Sequence, residues 1–434
     1  MSPLFKAKAL VYALGLVGVL GTCGRSFADG LLPLQTQAVD GPDPYFFPGT
    51  QFTLRKTFTG IQYPIDNTLS KLIVFWFEAV DGSHPAASAI SFYFLGQLFP
   101  CIIITYLNAL RGNRPSLVKP TLWLLLLQAF SIGATGFIYA IAYISASTTV
   151  QPDLSFEFLQ YASLTSSPVL VWLLLPATAI GYFVTAFLMC LPSYPLTITP
   201  PLVSNTFQQI AMAVWNMYPV VILAVMYLAR PALKPIISST MLRKWPSSTT
   251  PASETKKKPA TSPPSPVKVA ATTHLQAVRV SSLLALTISS TMHLSTLGVS
   301  LATVLFPALF QPAYIKELSP ASLFLPPVSL GPKVITAGDG VRSFLLWDQV
   351  ACYSLFIVIT AMELHSAVRA RNRRAASTSP SPLLLPKMAG AAGFISLVLG
   401  PGSACLVGSW MRDEILFGGW SDGPVGDGEV GKKA

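Results

Sequence analysis

Three carboxylates stand close together in PIDNTLSKLIVFWFEAVDGS, residues 64–83: Asp66, Glu78 and Asp81 flank an apolar, aromatic-rich run. If residues 64–82 are helical, Asp81 lies about 60° and Glu78 about 120° around the axis from Asp66. The three acids then share one sector, with Asn67 at its side. A carboxyl cluster facing an apolar cavity keeps at least one proton, because desolvation and mutual repulsion both oppose ionisation. Such a group can protonate a substrate. An interfacial helix with a solvated acidic edge gives the same pattern, and both readings stand at this point.

Two further stretches carry acids beside apolar runs. In SFLLWDQ (343–349), Asp348 follows Trp347 just inside an apolar helix, where it is either a functional acid or a helix-end residue reaching for the headgroups. In SWMRDEILF (409–417), Arg412 either pairs with Asp413 or Glu414 in an exposed bridge of little energetic value or orders one of them for chemistry. Asp66, Asp81, Glu78, Asp348 and Asp413 are the catalytic candidates. Glu363 and His365 read as headgroup-level residues. His84, His274, His293 and His365 include no pair spaced three or four apart. That excludes the multi-His iron sites of membrane hydroxylases, and no metal site is expected. A lone mid-span His293 reads as a hydrogen-bonded bundle residue. P-loop, dinucleotide and nucleophile-elbow motifs are absent, as are the Asp-rich motifs that hold metal and diphosphate. No cofactor is expected.

The elements that must position these groups are membrane helices. The chain has 434 residues, 52% hydrophobic and 11% charged, against about 25% charged in soluble domains. The fold class expected is all-α, a polytopic bundle of about 7–8 spans. The net charge of +11 gathers in short segments between apolar blocks, as the positive-inside rule requires, and this argues against nucleic acid as a partner. Five scattered cysteines give neither a disulfide framework nor a metal spacing. Residues 1–28 read as a signal peptide or signal anchor, which places 29–87 on the exterior or lumenal side. Blocks at 88–110, 121–146, 168–192, 207–229, 279–310 and 343–366 are long enough to cross about 30 Å of hydrocarbon. A seventh, 384–409, is broken at Gly400-Pro401-Gly402. Residues 88–236 form an N-terminal bundle, 237–275 a basic, disordered linker, 276–417 the C-terminal helices and 418–434 a flexible tail.

The charge pattern does not close. Arg111, Arg114 and Lys119 belong on the same side as the linker, yet three spans separate them. Either one segment is re-entrant, with the irregular stretch 193–206 a candidate, or one positive cluster breaks the rule. Beyond the linker the alternation puts the C-terminal tail outside, and with it Asp348, Arg412 and Asp413 on the face that carries the opening acids.

Several short motifs together point to a family. Ile65-Asp66-Asn67, FWFEAVDGS (75–83), FLGQ (94–97), RGN (111–113), Gln128, His293 before LFPALF (305–310), LLWDQ (345–349), GPGSA (400–404) and RDEIL (412–416) resemble the fungal membrane-bound terpene cyclases, exemplified by the ascofuranone-pathway cyclase. The resemblance runs from about residue 60 to 417 apart from the linker. One departure stands out: an acid expected just before RGN is missing, and Asn108 lies near its place. The resemblance implies a meroterpenoid cyclase of secondary metabolism, isomerase- or lyase-like, in the endoplasmic reticulum membrane. A neutral carboxylic acid would protonate a lipophilic prenylated or epoxidised substrate. Asn67, Phe75, Trp76, Phe77, Trp347 and Arg412 would bind it and stabilise the cation. A metabolite transporter and a non-catalytic membrane anchor are the rival readings. A transporter predicts two related halves, and no internal repeat is evident in the sequence.

Overall fold

The computed structural model describes residues 3–112, 115–151, 153–165, 167–193, 201–243, 266–329, 331, 333–375 and 384–418, without the side chains of 233–243 and 266–269. The expected linker and tail fall mostly outside these residues. Among those described, the chain is helical, with isolated bridges but no extended sheet strand.

Five helices are long and apolar enough to cross a membrane, and a sixth span is bent. In chain order, α1 is Pro3–Asp29, α2 Leu31–Asp40, α3 Asn67–Val80 and α4 Pro85–Leu110. Then come α5 Val118–Phe130, α6 Ile132–Ala146, α7 Phe156–Ser163 and α8 Pro168–Met189. Helices α9 (Asn205–Asn216) and α10 (Tyr218–Arg243) follow, and meet at a 72° bend. The remainder are α11 Pro266–Leu305, α12 Pro312–Glu317, α13 Pro320–Phe324, α14 Ala337–Arg374, α15 Leu384–Leu399 and α16 Pro401–Phe417. The spans are α1, α4, α8, α9–α10, α11 and α14. Helix α14 starts with a capping box from Thr336 and Asp339 and ends on Arg371, Arg373 and Arg374, so both termini match its dipole.

The block 121–146 is not a span. Ser131 (φ 71°, ψ 142°) breaks it into α5 and α6, and Trp123 and Tyr139, each eight residues from the break, touch with ring centroids 5.5 Å apart. The two helices therefore fold back on each other. Thr121 meets Tyr106 near the end of α4, and Tyr143 meets Glu363 near the end of α14. Both ends of this hairpin thus lie at the basic end of the bundle, and its tip reaches the depth of Asp348.

The seventh block behaves the same way. Gly400 (φ 95°, ψ 154°) separates α15 from α16, which pack together. Gly402 meets Gln97 midway along α4, and Arg412 meets Glu363, so α16 runs toward the basic end. Packed along α16, α15 starts from the basic end as well.

Two re-entrant hairpins close the topology that the sequence left open. Six crossings remain, and Arg111, Lys119, the ends of α10 and α14, and the end of α16 share one end. The segment 118–146 is re-entrant, half of the other candidate, 193–206, lies outside the described residues, and α16 ends at the basic end, not the opposite one. Helix α1 belongs to the bundle: Gly18 and Gly21 pack directly on Gly133 and Trp347.

The hairpins also disclose a repeat. Asp348, 11 residues into α14, accepts from the N–H of Gly133, two residues past the first tip, at 2.6 Å. Gln97, 12 residues into α4, accepts from the N–H of Gly402, two residues past the second tip, at 3.0 Å. Each up–down–hairpin unit, α1–α4–α5/α6 and α11–α14–α15/α16, thus has its tip held by the long helix of the other. The equivalent thiols of Cys101 and Cys352 meet by hydrogen bonding. Helices α8 to α10 are inserted between the units.

Single cysteines at Ser116, Arg374 and Gly418, in a chain lacking the exposed Cys23 and Cys190, should react with a membrane-impermeant maleimide from one side of sealed vesicles. Cysteines at Gly60 and Gln311 should react only from the other. A Gly418→Cys thiol that labels together with Gly60→Cys would remove the second hairpin.

Candidate active site

The five acids selected from sequence separate into four settings. Asp66 and Glu78 lie at opposite ends of α3, so the shared sector does not make a cluster. Asp66 is fully buried and accepts from the Thr59 amide (2.8 Å), the Thr59 hydroxyl (2.8 Å) and the Gly60 amide (3.0 Å). Burial alone would raise its pKa, but these hydrogen bonds outweigh it and hold the carboxyl below its usual value. Asp66 anchors the 59–61 turn. Asn67 donates to Asp40 at 2.6 Å on the surface.

Glu78 is different. It is 2% exposed, accepts from the Gly338 amide in the first turn of α14 at 2.7 Å and lies 3.3 Å from His84 Nε2. The hydrogen bond to Glu78 raises the pKa of His84, burial opposes it, and the charges of Glu78, Asp339 and Asp81 add to the rise. Asp81 caps the end of α3 through Ser83. Burial raises its pKa and the Glu78 charge adds to this, against the pull of the Ser83 bonds. Tyr45, pushed to about 12 by burial and then by Glu78, lines a recess of about 320 Å³ with Leu34, Ala38 and Pro44.

Aromatic faces continue from Glu78 along α3. Phe77 stacks on Phe47 with centroids 3.8 Å apart, Phe75 meets Phe344 at 5.1 Å, and Trp76 meets Trp215 at 4.8 Å. All of Phe75, Trp76 and Phe77 are buried. Trp347, by contrast, packs on Gly21 and donates to the Pro327 carbonyl at 3.1 Å, away from this set.

Asp348 is 3% exposed and takes the Ser131 hydroxyl at 2.5 Å as well as the Gly133 amide. Both bonds fall on Oδ1 and fix the hairpin tip. Asp413 and Arg412 lie at the opposite end of the bundle from Glu78. They join Arg111 and Glu363 in a buried quartet whose side chains are at most 2% exposed. Arg111 Nη2 stands 2.6 Å from Asp413, Arg412 Nη1 3.5 Å from Glu363, and Tyr143 and Thr149 donate to Glu363 at 2.5 and 2.9 Å. Asn108 accepts from Arg111. The exposed bridge expected at 412–414 is therefore not formed, and Glu414 instead binds Arg279 at 2.7 Å. Glu363, near the basic end of α14, is fully buried.

The sequence reading missed Arg111, Glu363 and His84. Arg111 had been read only as a topological charge. Two arginines and two acids near helix ends become a signal only once the second hairpin returns α16 to the basic end.

Asp413→Ala should strand a buried arginine at a cost of about 3–5 kcal/mol, read as a loss of thermal stability in detergent. An Arg111→Met/Asp413→Leu double variant should recover most of it. For His84 the folded pKa is the higher one, so the stability of its protonated contact is complete below about 6.5. It fades as pH rises through the folded value. Wild type should therefore lose more thermal stability between pH 6 and 8.5 than His84→Gln.

No solved structure matches the chain. Terpene cyclase ctvD of Aspergillus terreus (strain NIH 2624 / FGSC A1156) is 27% identical over 210 residues, 48% of this chain and 55% of that protein. The chain thus spans little more than half of that relative. The family described as CtvD domain matches residues 7–417, nearly the whole chain and both hairpins. This chain is a member of the CtvD-domain family, the family of a terpene cyclase.

Proposed function

We propose that the protein is an acid-initiated terpene cyclase acting on a lipophilic prenyl chain or its epoxide, with Glu78 as the proton donor. The observation that carries this is the placement of Glu78: buried, 3.3 Å from His84 Nε2, and directly after the buried aromatic run Phe75, Trp76 and Phe77. Of the five acids, Asp66, Asp348 and Asp413 are occupied by hydrogen bonds or arginines. In this reading Glu78 exchanges its proton with His84, 3.3 Å away. The proton passes to the epoxide oxygen or terminal alkene. Phe75, three residues before Glu78 and on its side of the helix, then faces the developing cation, contributing about 1–2 kcal/mol when desolvated, while Trp76 and Phe77 pack in neighbouring sectors. An internal alkene or oxygen closes the ring and a proton is lost. The endoplasmic reticulum, meroterpenoid substrates and an isomerase- or lyase-type reaction belong to this reading.

One observation favours a transporter. Paired re-entrant hairpins in two related halves are the architecture by which transporters build midplane sites. The two readings separate in detergent, where an enzyme converts substrate and a transporter has no compartment to fill.

Detergent-solubilised protein should convert a prenylated epoxide supplied as substrate. Glu78→Gln should lower turnover by about 10²-fold or more, the usual share of a positioned general acid. Asp66→Asn should change folding yield more than turnover per folded molecule. Full turnover by a folded Glu78→Gln variant would remove Glu78 from the role.

A further inference from the structure

A cavity of about 230 Å³ lies between α4 and α14 beside the tip of the second hairpin. Its walls include Tyr93 of α4, Phe324 of α13, Gln349, Val350 and Tyr353 of α14, and Pro401 of the tip. It opens sideways, where Val350 is exposed on a membrane-crossing helix. Along α14 it is about 16 Å from the Glu78 contact at Gly338, at 1.5 Å per residue.

Two wall groups are buried polar atoms without partners: the Tyr353 hydroxyl and the Gln349 side-chain nitrogen. Tyr353 and Gln349 are 4% and 5% exposed and one helical turn apart, so they present to the same side. An unpaired buried polar group is costly, and within hydrocarbon no solvent relieves it.

Tyr93 adds an acceptor. His293 Nε2 stands 3.1 Å from the Leu397 carbonyl, which can only accept, so this nitrogen bears the hydrogen. Nδ1 is then the acceptor for the Tyr93 hydroxyl at 3.2 Å. The Tyr93 proton is committed to His293, and its oxygen is left to accept. Tyr93 is itself held edge-on by Phe324, 5.4 Å between centroids.

We infer that this cavity binds an apolar molecule bearing an oxygen, entering from the bilayer. Gln349 and Tyr353 donate to that oxygen, and Tyr93 accepts from it when it is a hydroxyl. The site does not depend on the role assigned to Glu78. Its ligand is a hydrocarbon-like alcohol, ether or ketone rather than a phospholipid, because the unpartnered atoms are few, neutral and deep.

The test uses the full chain in lipid nanodiscs and three photoreactive probes: a diazirine farnesol analogue, an oxygen-free diazirine hydrocarbon of equal length, and a diazirine phospholipid. The farnesol probe should label peptides containing Tyr93 and residues 346–357. Tyr353→Phe and Gln349→Leu should each reduce that labelling about three- to tenfold, the loss of one hydrogen bond. Both variants should melt at or above the wild-type temperature, because each removes an unpaired polar group. The inference is overturned if the oxygen-free probe labels these peptides equally or the phospholipid displaces the farnesol probe. Unchanged labelling in folded Tyr353→Phe would overturn it too.

Discussion

A helix that begins within hydrocarbon leaves its first amides without water, and each must find a partner in protein. Both hairpins of this protein start a helix at that depth. The solution is the same twice: a polar side chain midway along a long helix accepts the amide just past the tip. Asp348 serves Gly133 and Gln97 serves Gly402. Neither acceptor could be replaced by an apolar residue without exposing backbone to lipid. The position of the hairpins, the parity of the chain and the floor of the α4–α14 cavity all follow from these two contacts.

The helical character of the chain was legible from composition, since so few charges over so many apolar blocks leave little alternative. Most spans were legible from block length. The two hairpins were not, because 121–146 and 384–409 have the length and hydropathy of single crossings, and Ser131 is an inconspicuous residue at a reversal. Gly400-Pro401-Gly402 did mark a break, but a break does not say which way the chain turns. The charge rule detected the inconsistency that the hairpins resolve. It could not locate them.

The candidate site was legible in part. The aromatic run and Glu78 are buried as the sequence allowed, and the acids around them differ in what they touch rather than in type. Asp66 and Glu78 are both buried carboxylates near α3. One is surrounded by hydroxyl and amide donors of a turn, the other by a histidine and a helix terminus. Sequence spacing placed both in one sector of a helix, but sector says nothing of distance along the axis. Only tertiary partners distinguish an anchor from an acid. For Arg412 and Asp413 the sequence left an exposed bridge and an ordered pair both open, and the fold buries them against Arg111 and Glu363.

The exchange of contacts between the two halves also has a direction in time. Gln97 is already made when the second hairpin emerges from the ribosome, so that tip can be sealed as it forms. The first hairpin has no such provision: its partner Asp348 lies 215 residues beyond Gly133. Throughout the synthesis of α8 to α11 the amide of Gly133 and the hydroxyl of Ser131 must wait, held by lipid, insertion machinery or water. The N-terminal half of this molecule is thus an unfinished object until α14 arrives, and assembly of the bundle is gated at its late, long-range step.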